Sequence, residues 1–296
     1  MNATTDRAVV PTAAGTVAAS TAVLFWGAGN VLVKYIHLTG PALAFNRLWI
    51  GSAVFTAAFM ARGGRLSWRT LLAAAPGGIA FGLDVVLFFT SVKHTTVADA
   101  SIIGALQPAV IFLVAGPLFG ERVSARTVGW TVVAGIGVVA AVVGSSKSAG
   151  RTLYGDVLAT LALATWVWYF IASKRSRRRL GALEYQAALT IVAALVVTPV
   201  ALMSGSVSPR NPATTAWVLL LVLVPGGGHL LMNWAHAHCS ISLASLVTLG
   251  IPVVGTIGAA LLLSEPVTAV QTAGMALVIG ALAMVIWRPG QAERYS

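Results

Sequence analysis

The chain has 296 residues, of which 57% are hydrophobic and 9% are charged, and its mean hydropathy is +0.87. These values exclude an ordinary soluble domain, so we expect most of the chain to be solvated by lipid. The one cysteine, Cys239, excludes an intrachain disulfide framework, and the net charge of +11 is compatible with an acidic partner until the basic residues are placed.

Long apolar runs separated by short polar breaks predict a protein built only of membrane-spanning helices. The first run is too long for a typical signal peptide and predicts a retained span. The breaks are too short for a soluble domain, so we expect one membrane domain without a cofactor. Ten spans are predicted, near residues 13–34, 41–61, 71–91, 97–119, 126–144, 152–172, 181–203, 214–235, 241–263 and 267–287. The expected organisation is an N-terminal cytoplasmic tail at 1–12, a first five-helix repeat at 13–144, a linker at 145–151, a second five-helix repeat at 152–287 and a C-terminal cytoplasmic tail at 288–296.

The distribution of basic residues predicts the orientation. With a cytoplasmic N-terminus, the segments on that side hold thirteen Lys and Arg residues and the opposite side holds five, with Arg47 left inside a helix. This asymmetry follows the positive-inside rule, so both termini are expected in the cytoplasm and the protein in a bacterial inner membrane. It also explains the high net charge, so the expected surroundings are the lipid bilayer and not nucleic acid.

An internal repeat predicts the architecture. Residues 95–121 match residues 239–265 at a constant offset of 144, including an Ala-Ser pair, a central proline and a final glutamate. At an offset of 140, Trp26 in the first span corresponds to Trp166 in the sixth. The repeat unit is therefore five helices, and an odd number makes the second copy enter the membrane from the opposite side. The sequence thus predicts two inverted halves, which are typical of secondary transporters that work by alternating access.

The motifs also indicate a family. The stretch Trp-Gly-Ala-Gly-Asn-Val at 26–31, followed by Lys34, and the repeated Ala-Ser…Pro…Glu pattern resemble the drug/metabolite transporter superfamily. Within it the chain is similar to the EamA-type ten-helix exporters, and most similar to the bacterial aromatic amino acid exporters. Arg47 resembles an arginine that is common in the second helix of this family. The resemblance implies export of amino acids or related small amphipathic metabolites.

Other functions stay open at this point. Nucleobases, cationic drugs or sugar phosphates are alternative cargoes, although one buried arginine and no buried lysine argue against sugar phosphates. A membrane-embedded enzyme should show a nucleophile with its base or a set of metal ligands, and the sequence offers no such constellation. We expect a monomer or a weak homodimer.

Arg47 and Asp84 are the two charged residues deep inside predicted spans. A charged side chain at a helix centre costs about 2.5–3.5 kcal/mol on insertion scales, so neither residue should face lipid. They can face a polar cavity, where Arg47 binds a substrate carboxylate and Asp84 an ammonium group. The alternative is an ion pair that only fixes the packing of two helices.

Aromatic and amide residues inside the spans form a second set of cavity candidates. An apolar cavity with a few orienting polar groups suits an amphipathic metabolite, and ordinary helix packing is the alternative for each residue. These candidates are Trp26, Asn30, Asn46, Phe88, Trp166, Tyr169, Tyr185, Gln186, Asn233 and Trp234.

Three proline sites predict irregular helices. Pro108 and Pro252 lie near the middle of the fourth and ninth spans, where each should bend its helix and free the carbonyl four residues earlier. The run Pro-Gly-Gly-Gly-His at 225–229 is expected to interrupt the eighth span at a similar depth.

Histidines near the end of the eighth span raise the question of a metal site. His236 and His238 are two residues apart and point in different directions on a helix, so no metal is expected there or at Cys239. His229 can be a cavity donor or proton carrier, or a packed histidine with satisfied hydrogen bonds.

Overall fold

The structure is a computed structural model, and it describes residues 12–94, 103–143, 152–205, 207, 211–264 and 266–287. Within these ranges the regular structure is helical throughout. The helices are α1 Ala13–Leu32, α2 Gly40–Ala61, α3 Trp68–His94, α4 Gln107–Phe119, α5 Ala125–Val143, α6 Leu153–Ser176, α7 Ala182–Met203, α8 Pro212–Ala235, α9 Ile241–Val247, α10 Ile251–Leu263 and α11 Ala269–Trp287, with 3-10 turns at Val33–Tyr35 and Thr248–Gly250. The predicted linker and C-terminal tail, most of the N-terminal tail, and Glu265 lie outside the described residues.

The length and composition of these helices identify a multi-pass membrane protein. In the described ranges, nine segments are long and apolar enough to cross a bilayer, with α9 and α10 forming one segment at Ile241–Leu262. α4 is a shorter apolar helix of 13 residues. Part of the predicted fourth span, at 97–102, falls outside the described residues.

Side-chain caps fix where several helices begin. The hydroxyl of Thr12 accepts a hydrogen bond from the Gly15 amide at 3.0 Å, and Thr152 accepts one from Gly155 at 3.1 Å. Each cap satisfies an amide that has no partner inside its helix. Thr12 and Thr152 are 140 residues apart, so the caps of α1 and α6 obey the offset that relates Trp26 to Trp166.

Contacts between helix ends define two faces of the bundle. We call one the basic face: here α1 begins beside the end of α8, where Thr12 bonds the His238 carbonyl, and α3 begins beside the end of α6, where Ser176 donates to the Ala73 carbonyl. On the opposite, distal face, α3 ends beside the start of α6, where Ser91 donates to the Gly155 carbonyl. The basic face carries Arg62, Arg65, Arg69, Arg122, Arg126, Arg175, Arg177, Arg178 and Arg179.

The helices of the first half pack mainly on helices of the second half. α3 packs against α6 and α7, α1 against α8 and α10, α2 against α7, and α5 against α11. The α5–α11 contact depends on two glycines, since a Cβ on Gly137 would lie 2.7 Å from the Gly274 carbonyl oxygen and one on Gly274 would lie 2.5 Å from the Ala141 nitrogen. The two backbones therefore touch directly, as small residues allow in membrane helices.

The helix breaks differ in part from the expectation. Pro108 and Pro252 are each the second residue of a new helix, α4 and α10, so the chain is interrupted just before each proline and not simply bent. The expected interruption at 225–229 is wrong, because α8 is continuous through this run. The glycines there serve packing: a Cβ on Gly228 would lie 3.1 Å from the Ala22 carbonyl oxygen of α1.

The expectation that no lysine is buried is also wrong. α6 extends to Ser176, beyond its predicted end, so Lys174 lies in its last turn with only 3% of its surface exposed. Its ammonium group donates a hydrogen bond to the Cys239 carbonyl, which compensates for its burial.

Candidate transport cavity

A cavity of about 200 Å³ lies between the two halves. Its walls come from the distal halves of α1, α3 and α6, the first turns of α2, the middle of α8, and the two helix breaks before Pro108 and Pro252. The broken segments place irregular backbone where it can line a polar cavity and avoid lipid. The cavity-lining residues that matter below are Trp26, Asn30, Arg47, Phe81, Asp84, Phe88, Phe89, Gln107, Trp166, His229, Thr248 and Pro252.

Arg47 contributes the guanidinium of the cavity from the second turn of α2. Its Nη2 atom lies 3.1 Å from Nε2 of His229. Its Cζ atom lies 5.9 Å from the ring centre of Phe81 and 5.7 Å from that of Phe89, within the range of cation–π attraction. One neutral acceptor and two aromatic faces thus hold the cation without a counter-charge in contact.

Asp84 contributes the carboxylate from α3. The residue is 9% exposed and lines the same cavity. Between the described residues Asp84 and Arg47, no nitrogen and oxygen atoms approach within 4.0 Å. The pair is therefore open, and a ligand that carries both charges can interact with both groups.

Aromatic rings form one side of the cavity. The ring centres of Trp26 and Trp166 are 5.3 Å apart in an edge-to-face arrangement. Those of Trp26 and Phe81 lie 4.9 Å and 4.6 Å from the imidazole of His229. Such a wall buries a flat apolar group well and leaves polar recognition to the two charged residues.

A chain of hydrogen bonds continues from His229 into the protein. Nδ1 of His229 lies 3.2 Å from the Tyr169 hydroxyl, which donates to Oδ1 of Asn233 at 3.2 Å. The amide nitrogen of Asn233 donates to Oε1 of Gln186 at 2.7 Å. Tyr169, Asn233 and Gln186 are buried behind the cavity wall, so they support it without lining it.

A polar contact also links the two helix breaks. The Thr248 hydroxyl donates to Oε1 of Gln107 at 2.8 Å, and both residues line the cavity. This contact joins the segment before Pro108 to the segment before Pro252, so the two breaks meet at the cavity.

The basic face is closed below the cavity. Glu121 accepts hydrogen bonds at the start of α9 from the amides of Ile241 and Ser242, at 2.7 Å and 3.1 Å, and from the Ser242 hydroxyl at 2.7 Å. Arg177 donates from Nε to the Asn233 carbonyl at 2.8 Å. The Glu121 contact ties the end of α4 to α9 and joins the two halves on this face, whereas the Arg177 contact ties the end of α6 to α8 within the second half.

The predicted candidates divide into two groups. Cavity-lining positions are occupied by Trp26, Asn30, Arg47, Asp84, Phe88, Trp166, His229 and Pro252. The others lie away from the lining: Asn46 donates to the carbonyls of Ala42 and Val207, Tyr185 contacts the Ser173 hydroxyl at 2.9 Å, Trp234 stacks on His238 with ring centres 3.8 Å apart, and Tyr169, Asn233 and Pro108 are buried. Their substrate contact stays a prediction.

Comparison with known proteins identifies the family of this chain. The model of the EamA-like transporter family matches residues 13–143 and matches again at residues 153–287. The chain belongs to the EamA-like transporter family. The drug/metabolite transporter resemblance is thereby confirmed at the level of the family, and membership indicates a membrane transporter and not an enzyme.

Relatives of this EamA-like chain are named as transporters. An uncharacterized transporter of Archaeoglobus fulgidus is 24% identical over 89% of this chain and 95% of that protein. The pseudopaline exporter CntI of Pseudomonas aeruginosa is 26% identical over 73% of this chain and 76% of that protein. One solved crystal structure shares the fold with a TM-score of 0.78, at 21% identity, over 92% of this chain and 96% of that one.

Several residues that line the cavity were not among the sequence predictions, and they include Gln107, Thr248, Phe81 and Phe89. Gln107 is a polar residue directly before Pro108, and Thr248 is the residue whose carbonyl Pro252 frees, so both positions could have been found from the sequence. Phe81 and Phe89 could not, because a phenylalanine in an apolar helix is equally typical of a lipid-facing or packed position.

Proposed function

We propose that this EamA-like protein exports small amphipathic metabolites, with amino acids as substrates and aromatic amino acids favoured. The observation that carries the proposal is the open pair of Arg47 and Asp84 in one cavity with an aromatic wall. A guanidinium binds a carboxylate, and a carboxylate binds an ammonium group. A zwitterion with a flat apolar side chain complements all three features, whereas a molecule with a single charge leaves one buried ion without a partner.

Alternating access is the mechanism we propose. The cavity lies in the distal half of the bundle, and on the basic face the two halves are joined by Glu121 at the start of α9 and by Ser176 at the Ala73 carbonyl. The positive-inside rule favours the basic face as the cytoplasmic one, in a bacterial inner membrane, so this conformation would be outward-facing. Transport then requires the basic-face contacts to break and the distal half to close.

We propose that two related, inverted halves are the basis of this mechanism. The family match occurs once in each half, and the packing partners correspond under exchange of the halves: α3 packs on α6 as α8 packs on α1, and α2 packs on α7. With ten spans in total, a two-fold axis in the membrane plane relates such halves and exchanges the inward and outward states.

Counterflow in proteoliposomes tests the substrate class. Vesicles loaded with an unlabelled candidate should accumulate the labelled form of a true substrate. The panel contains amino acids, nucleobases, organic cations, sugar phosphates and pseudopaline, the last because one relative is named as its exporter. We expect counterflow with aromatic amino acids. Transport of another class with no amino acid transported would refute the proposal.

The oligomeric state is a separate proposal. We propose a monomer or weak homodimer, because the cavity is complete within one chain. Light scattering of the purified protein in detergent measures its mass directly, and a stable higher oligomer would contradict the proposal.

A further inference from the structure

The hydrogen bonds that lead from Arg47 through His229, Tyr169 and Asn233 to Gln186 all run in the same direction from donor to acceptor. A guanidinium only donates hydrogen bonds, so Nε2 of His229, 3.1 Å from Arg47, must carry a lone pair. A neutral imidazole with an acceptor at Nε2 carries its proton on Nδ1. His229 therefore donates from Nδ1 to the Tyr169 hydroxyl, 3.2 Å away.

The remaining links agree with that direction. Because the Tyr169 oxygen accepts from His229, its single proton is free to go to Oδ1 of Asn233, at 3.2 Å. The Asn233 amide nitrogen then donates to Oε1 of Gln186 at 2.7 Å. The link from His229 to Tyr169 cannot be reversed, because a proton on Nε2 of His229 would then face the donor groups of Arg47.

We infer that His229 is a positioning residue, held by Tyr169 and Asn233 as the Nδ1-protonated tautomer, and that it orients Arg47 while leaving the charge of the guanidinium available to substrate. The part that concerns substrate rests on the function proposed above. A carboxylate in the place of His229 would orient Arg47 equally well but would neutralise it. A neutral acceptor provides the geometry without competing with a substrate carboxylate.

Burial makes this arrangement persistent. Tyr169 and Asn233 are fully buried, and His229 is 4% exposed, so water has little access to replace the links. The ring of His229 is also enclosed by Trp26 and Phe81, which limits its rotation. The tautomer of His229 is therefore set by the protein around it.

Nitrogen NMR of protein labelled with ¹⁵N-histidine tests the inference without any substrate. Protonated and unprotonated imidazole nitrogens have well-separated chemical shifts, and the His229→Gln variant identifies the signals of His229 among the five histidines. We expect wild-type His229 to be protonated at Nδ1 and not at Nε2. A proton on Nε2 in the wild-type protein would overturn the inference.

Transport by the Tyr169→Phe variant tests the consequence for substrate. Removing the hydroxyl leaves Nδ1–H of His229 without its acceptor, so Arg47 is no longer held in one orientation. The probes are L-phenylalanine and L-phenylalaninamide, which keeps the ring and ammonium group but lacks the carboxylate. We expect the preference for L-phenylalanine over the amide to fall about tenfold, the value of one hydrogen bond to a charged group.

Tyr154→Phe is the matched control. Tyr154 lies on the same helix as Tyr169, packs its ring on His94 and does not line the cavity. This variant should keep the wild-type preference. A fall in both rates without a change in preference in Tyr169→Phe would refute the positioning role. If wild-type protein transports neither probe, the proposed function fails, and the NMR result still decides the tautomer.

Discussion

Arg47 is oriented by a neutral histidine and two phenylalanine rings, and Asp84 stands apart from it across the same cavity. In a low-dielectric site, two opposite charges that do not touch each other attract a ligand with two matching charges strongly. We therefore expect transport to depend on both side chains and on the distance between them.

The Arg47→Ala variant should fold and lose transport. The guanidinium is replaced by a cavity, and a substrate carboxylate loses its charged partner, so we expect L-phenylalanine transport to fall at least about a hundredfold. Proteoliposome uptake measures the loss, and the melting temperature in detergent checks the fold. Arg62→Ala, on the exposed end of α2, is the control. Wild-type rates in Arg47→Ala would exclude a role for this residue in transport.

The Asp84→Asn variant should change recognition of the ammonium group alone. It keeps the shape of the side chain but removes its charge, so we expect the KM for L-phenylalanine to rise about tenfold. Inhibition by 3-phenylpropionate, which has the carboxylate and ring but no ammonium group, should not weaken. If inhibition by both compounds weakens equally, Asp84 supports the cavity and does not read the ammonium group.

The cavity positions of Arg47 and Asp84 could be predicted from the sequence, because a charged residue inside an apolar span is stable only where it faces the interior of the bundle or a polar cavity. Aromatic and amide residues were less predictable: Trp26 and Trp166 line the cavity, whereas Tyr185 and Trp234 lie outside its lining and contact Ser173 and His238. The sequence cannot separate these roles, since they depend on which side of a helix meets a neighbour.

At the scale of elements, the start of α9 is held by Glu121 from the end of α4, across 120 residues of sequence. The carboxylate accepts hydrogen bonds from two amides that have no partner within α9 and lies at the positive end of the helix dipole. This contact joins the two halves on the closed basic face, so it must break when that face opens.

The Glu121→Gln variant should open the basic face more often. An amide has one acceptor oxygen, so it cannot replace both carboxylate oxygens. Cys239 reports the opening because it is the single cysteine and is fully buried beside Lys174. The pKa of its thiol is raised to about 12, mainly by burial; the charge of Lys174 opposes this rise and that of Glu121 adds to it.

Maleimide labelling of Cys239 measures this effect. Opening exposes the thiol and lowers its pKa toward the ordinary value, so more thiolate is present at pH 8 and labelling should be about tenfold faster than in the wild type. Glu184→Gln is the control, because Glu184 accepts from Thr70 on the same face without contacting α9. Unchanged labelling in Glu121→Gln would show that this contact does not hold the face closed.

The contact between α5 and α11 predicts a stability effect. A valine at Gly274 would place its Cβ 2.5 Å from the Ala141 nitrogen, and the two backbones would have to separate. Overpacking of this kind costs about 1–3 kcal/mol, so Gly274→Val should lower the melting temperature in detergent. Gly280→Val on the same helix has open space around the Cβ and should not. Equal melting temperatures for the two variants would contradict the packing.

Helix breaks were only partly predictable from proline and glycine. Pro108 and Pro252 are each the second residue of a new helix, where a backbone amide has no partner within the helix and its absence costs little. Pro225 looks the same in sequence, yet α8 continues through it, because the glycines that follow pack closely on α1. Tertiary packing decides between a break and a continuous helix, and the sequence around one proline does not show it.

At the scale of the whole molecule, the halves pack helix against helix around a cavity, and Glu121 joins them on the basic face. The membrane character was predictable from composition, because the free energy of lipid solvation depends mainly on apolar content. The family was predictable from repeated motifs, which the two family matches at 13–143 and 153–287 now confirm. Inversion of the halves and the side on which the termini lie stay predictions from helix count and charge.

Exchange of L-phenylalanine across proteoliposome membranes, compared with its two singly charged analogues, tests the central claim most directly. A cavity with an open pair of Arg47 and Asp84 predicts rapid exchange of the zwitterion and at least about tenfold slower exchange of both L-phenylalaninamide and 3-phenylpropionate. Equal rates for the three compounds, or faster exchange of either analogue, would contradict recognition of a zwitterion by this pair.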